Sequence, residues 1–153
     1  MGRGVARVRG TELAYDDTGS GEAFVLLHGF PFDRSMWREQ ARALSDTCRV
    51  VAPDLRGSGE TPLGDGALTM GEMAEDVAAL LDELKVQRAV LGGLSMGGYV
   101  VFEFYRRFPR RVRALVLADT RPQADTDDGR RTREENAQKV RMAGAPHVFD
   151  AQS

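Results

Sequence analysis

Short apolar runs of strand length alternate along the chain with longer segments whose apolar residues recur at helical spacing. Val5 to Arg9 and Glu12 to Tyr15 read as a hairpin turning at Gly10-Thr11, followed by the polar loop Asp17-Thr18-Gly19-Ser20-Gly21. Phe24 to Leu27, Arg49 to Ala52, Ala89 to Gly92 and Ala114 to Leu117 read as the later strands. Helices are predicted between them, the first near Met36 to Leu44. The second starts at a capping box of Thr69 and Glu72, ahead of Met73, Val77, Leu80, Leu81 and Leu84. The third runs from Gly97 to Phe108 and is stopped by Pro109. Strands separated by helices imply an α/β fold with mostly parallel pairing, right-handed crossovers and burial on both sheet faces. Loops at the carboxyl ends of such strands gather along one edge, and His28, Asp54, Ser95 and Asp119 all follow these runs.

Gly93-Leu94-Ser95-Met96-Gly97 lies between a predicted strand and a predicted helix, the context of a nucleophile elbow. There the serine hydroxyl stands above the sheet, and flanking glycines allow a close approach that a Cβ would block. Taken as five residues alone, the motif reads equally as a glycine-rich turn with a passenger serine. The run Phe24 to Leu27 ends in His28-Gly29-Phe30-Pro31, and Val50-Val51-Ala52-Pro53 ends in Asp54-Leu55-Arg56-Gly57-Ser58-Gly59. With Trp37 between them, these segments resemble the α/β-hydrolase superfamily, in particular its small esterases and enol-lactonases.

The resemblance covers Arg7 to Asp119 and onward into a first cap helix, the N-terminal half of a typical member. It implies a truncated α/β-hydrolase fold with strand order 1-2-4-3-5-6 and helices on both faces, an α/β core over residues 1–120, and a linker, cap-like helix and tail over 121–153. It further implies that Ser95 attacks a small carboxylic ester or lactone while the N–H groups of Phe30 and Met96 bind the oxyanion, with His28 and Gly29 shaping that loop. Haloalkane dehalogenases and epoxide hydrolases of this fold carry aspartate at the elbow, where this chain has Ser95. The family's usual acid and histidine loops lie beyond the matching segment.

A serine needs a base, and the chain holds two histidines. His28 is expected to hold the oxyanion loop, which leaves His147 as the candidate base and Asp119, at the end of the sixth strand, as the candidate acid. If residues 130–142 formed an ordinary crossover helix, it would carry the chain about 20 Å from the catalytic edge at ~1.5 Å per residue. His147 then reaches Ser95 only from a cap-like path or from another chain. The alternative is a catalytically silent hydrolase-like module that binds small ligands or associates with itself.

A net charge of −2 gives no bulk field for nucleic acid or acidic lipid, so neither is expected as a partner. Arg106-Arg107 reads as a solvated helix end. The one cysteine, Cys48, excludes an internal disulfide and reads as a small buried apolar group. No metal or cofactor is expected: the two histidines lie far apart, no lysine accompanies the glycines as in a P-loop, and the dinucleotide spacing fails. Asp125, Asp127 and Asp128 read as an acidic helix start rather than a calcium loop. No run has membrane-spanning length and no targeting segment is visible, which predicts a cytoplasmic protein. An apolar sixth strand left at the sheet edge predicts a homo-oligomer.

Overall fold

The computed structural model describes residues 2–65 and 68–143, excluding the side chains of Val140 and Ala143. Its elements are β1 (Gly2–Val8), β2 (Thr11–Thr18), β3 (Ala23–Leu27), α1 (Arg38–Leu44), β4 (Arg49–Pro53), α2 (Met70–Glu83), β5 (Ala89–Leu94), α3 (Met96–Arg107), β6 (Val112–Ala118) and α4 (Asp127–Ala143). The sheet runs in the order β1-β2-β4-β3-β5-β6, as expected. β1 and β2 join it antiparallel, while the pairs β3–β4, β3–β5 and β5–β6 are parallel.

The continuous apolar runs resolve into two alternating faces. Val25, Leu27, Val51 and Leu91 join the larger core with Val77, Leu80 and Leu81 of α2 and Val100, Val101 and Phe104 of α3. Their neighbours Leu26, Val50 and Ala52 pack on the other face with Ala41 of α1, alongside Phe24, Trp37, Leu44 and Cys48. This two-sided burial is what a parallel sheet between helix layers requires. Cys48 is half-buried rather than buried, its thiol donating to the Leu44 carbonyl at 3.5 Å.

Several local expectations shift. The hairpin turns at Arg9-Gly10, not Gly10-Thr11, because both residues adopt positive φ (46° and 78°) and Val8 pairs directly with Thr11. The first helix is preceded by a tight 3-10 turn over Arg34–Trp37, whose cap Asp33 accepts from the Ser35 N–H at 2.7 Å. The Thr69–Glu72 capping box forms as predicted, with Thr69 N–H on Glu72 at 2.8 Å and Glu72 N–H on Thr69 at 3.2 Å. β6 is not buried on both faces; Val116 and Leu117 remain 48% and 44% exposed, since among the described strands only β5 pairs with it.

Arg107 is more than a solvated helix end: it bonds Glu103 at 2.7 Å and reaches Glu75 of α2 at 2.6 Å. A Cβ on Gly71 would overlap that guanidinium, so with any larger residue there the arginine would have to shift. Arg106 and Arg107 together pull the Glu103 carboxyl down to about 2.

The chain separates into two compact units, one ending at Arg121 and the other starting at Pro122. Within the second, α4 starts on Asp127 and Asp128, each paired three residues on with Arg130 and Arg131. Among the described residues no helix is long and apolar enough to cross a membrane.

Candidate active site

β5 delivers Ser95 into a backbone corner that side chains rarely occupy, at φ 48° and ψ −111°. Glycine normally supplies this conformation, and holding another residue in it costs about 1–3 kcal/mol. The surrounding bonds over-determine it. Ser95 N–H donates to the Ala118 carbonyl at 3.0 Å, while its own carbonyl accepts from Gly98 N–H and from the Thr120 hydroxyl, each at 3.0 Å. The end of β6 therefore locks the corner. A Cβ on Gly93 would lie 2.5 Å from the Gly97 backbone, and one on Gly97 would overlap the Leu27 carbonyl, so both flanking glycines are structurally required.

The loop after β3 lies against this corner: a Cβ on Gly29 would sit 3.3 Å from the Leu94 carbonyl and 3.5 Å from Ser95 Cβ. The Gly29 carbonyl accepts two bonds at 3.0 Å, from the Phe32 N–H and from His28 Nδ1. Because the Gly29–Phe30 peptide is trans and planar, fixing its oxygen on one side aims the Phe30 N–H to the other. Neither that N–H nor the one of Met96, at the start of α3, has an acceptor among the described residues. Donors left open at a helix N-terminus and on an adjacent loop suit an anionic oxygen.

His28 is fully buried, and its Nε2 accepts the Leu55 N–H at 2.9 Å, which leaves the ring proton on Nδ1. Burial pushes its pKa below the usual 6.5, outweighing the opposing pull of the Gly29 carbonyl, Asp54 and Asp33. With both nitrogens engaged, this histidine is placed to hold the loop and not to relay a proton. The unfolded chain protonates His28 more readily than the folded one, so stability must fall as pH drops through 6.5 toward the lowered value. His28→Gln, which offers Leu55 an acceptor but cannot titrate, should flatten that part of the profile. Urea midpoints between about pH 7.5 and 5.5 measure it, and an equal acid slope in both proteins counts against the assignment.

Asp119 directly follows Ala118 and precedes Thr120, the two residues that bond the Ser95 backbone, so the chain brings Asp119 beside the elbow. It is exposed and has a positive φ of 44°. His147, the remaining sequence candidate, lies outside the described residues. Among the described residues no group of His, Cys, Asp or Glu side chains is arranged to hold a metal ion.

An ionic cluster behind the loop escaped the sequence reading. Arg34, 5% exposed, pairs with the fully buried Asp54, with Asp16 at 3.3 Å and with Glu60 at 2.6 Å. The adjoining Arg56 bonds the buried Asp76 of α2 at 2.8 Å through two nitrogens. The strand predicted to end at Tyr15 runs on to Thr18, so Asp16 and Asp17 lie inside β2 and not in a polar loop, and half-buried carboxylates there need cationic partners.

Residues 22–143 match the model of a family described as the alpha/beta hydrolase fold. The chain superposes on a thermophilic esterase from Thermogutta terrifontis with a TM-score of 0.90 and 42% identity, covering 99% of this chain and 57% of that one. For the enol-lactonase from Burkholderia xenovorans LB400 the TM-score is 0.88 and the identity 34%, covering 97% and 57%. Among curated sequences, Epoxide hydrolase 2 of Siraitia grosvenorii is 37% identical over 110 residues, 70% of this chain and 35% of that protein. The chain thus spans little more than half the length of these structures.

Proposed function

We propose, on the premise that this chain belongs to the α/β-hydrolase fold family, that it is a serine hydrolase of small carboxylic esters or lactones. The observation that carries this reading is the pairing of a strained Ser95 corner with two open N–H donors on Phe30 and Met96. The likeness to an esterase and an enol-lactonase supports it, and the serine at the elbow favours acyl transfer over epoxide opening. Ser95 Oγ adds to the ester carbonyl and the Phe30 and Met96 N–H groups take the oxyanion. A base removes the serine proton and returns it to the departing alkoxide; water then repeats the sequence on the acyl-enzyme. We assign that base to His147 and its orienting acid to Asp119.

One observation favours a second reading. The single histidine among the described residues has both nitrogens engaged, so without His147 the chain would be a silent module that binds small ligands. Incubation with a fluorophosphonate followed by peptide mass spectrometry separates the two. The hydrolase reading expects an adduct on the peptide containing Ser95 together with turnover of a small ester. An adduct elsewhere removes Ser95 from the mechanism, and a folded chain with no turnover leaves the binding module.

A further inference from the structure

The loops after β3 and β4 hold each other by a reciprocal exchange. His28, on the first loop, accepts the Leu55 N–H of the second at 2.9 Å; Asp54, on the second, accepts the Arg34 N–H of the first at 2.8 Å. One side chain from each loop thus takes a backbone donor from the other, at adjacent positions 54 and 55. Phe30 lies between the two attachment points. The Asp54 carboxylate takes three donors: besides the Arg34 N–H it receives the Arg34 guanidinium and the Glu60 N–H at 2.8 Å, and Gly59 has no room for a Cβ against it. The β4 side of the exchange is braced in turn, because Asp54 N–H bonds Ala14 and Arg56 bonds Asp76.

We infer that Asp54 is a positioning residue for the oxyanion site, acting through Arg34 to hold the turn that aims the Phe30 N–H. This rests on the serine hydrolase reading for its catalytic consequence, but the clamp is a property of the loops themselves. Removing the charge of Asp54 does not orphan Arg34, which keeps Asp16 and Glu60 as partners. It does replace an acceptor by an amide donor that faces the Arg34 guanidinium and the Glu60 N–H. Through-space electrostatics and positioning predict opposite signs here. Losing a buried negative charge near a developing oxyanion favours the transition state, whereas loosening the donor disfavours it.

The test uses the full chain with Asp54→Asn, and with Asp17→Asn as a control that breaks the Arg49 pair at the opposite ends of β2 and β4. For Asp54→Asn, amide exchange at Phe32, whose N–H bonds Gly29, should quicken about tenfold, and kcat on a p-nitrophenyl ester should fall about 10-fold to 100-fold with KM nearly unchanged. Asp17→Asn should leave both readouts near wild type. Arg34→Lys, which keeps the charge and the backbone N–H but not the guanidinium fork, should give the same changes in smaller measure and covers a failure of Asp54→Asn to fold. Unchanged Phe32 exchange in folded variants, a raised kcat, or equal losses in the control each overturn the inference. If wild-type chain turns over no ester, the hydrolase reading fails while the Phe32 exchange still decides the clamp.

Discussion

On the proposed mechanism, Ser95→Ala should abolish fluorophosphonate labelling and lower ester turnover by about 10⁴-fold or more, while the thermal midpoint should stay near that of the wild type. The size follows from the chemistry proposed: an alanine would leave the Phe30 and Met96 N–H groups in place but remove the atom assigned to form the acyl-enzyme. Stability changes little because the bonds that fix residue 95 are made by its backbone, to Ala118, Gly98 and Thr120. His147→Ala should reduce turnover by a comparable factor, since nucleophile and base act as a unit and the second loss adds little to the first. Steady-state kinetics of both single variants and the double variant are the measurement. Additive losses in the double variant, or wild-type turnover in His147→Ala, would contradict the assigned pair.

Gly97→Ala should have a large effect of another kind, a loss of about 3 kcal/mol or more in folding stability. The new methyl would overlap the Leu27 carbonyl and lie 2.7 Å from that of His28. Those neighbours are backbone in the central strand β3 and its exit, which cannot yield without disturbing the pairing to β4 and β5. Gly10→Ala makes a fair contrast, because open space surrounds that position and only its φ of 78° resists. Denaturant midpoints of the two variants should therefore differ by well over 1 kcal/mol in ΔG. Equal midpoints would mean that α3 can shift away from β3.

What could be read in the amino-acid sequence was whatever is encoded within a few residues. The glycines on either side of Ser95, the Thr69–Glu72 box and the strand-length apolar runs are local patterns, and each corresponds to an element or contact in the structure. Strand order came from resemblance, since alternation of strands and helices leaves several orders open. The hairpin turn slipped by one residue because Arg9, with its positive φ, carries no glycine signal. The Arg34 cluster was invisible for a different reason. Its partners Asp16, Asp54 and Glu60 are 18, 20 and 26 residues away, and only the pairing of β2 with β4 and the return of the loops bring them together. His28 is intermediate: its His-Gly context points to a structural role, but the engagement of both nitrogens depends on Leu55, 27 residues away and brought close only by the fold.

The backbone angles at Ser95 also restrict which side chains this corner could ever carry. With φ at 48°, a second heavy atom on Cβ crowds the adjoining peptide groups, so threonine is penalised although its hydroxyl differs little in reactivity from that of serine. Serine, cysteine and aspartate each place a single heavy atom on Cβ and meet the steric limit equally well. Chemistry at this position can therefore diversify among hydroxyl, thiol and carboxylate without remaking the turn, but branching at Cβ cannot be part of the repertoire.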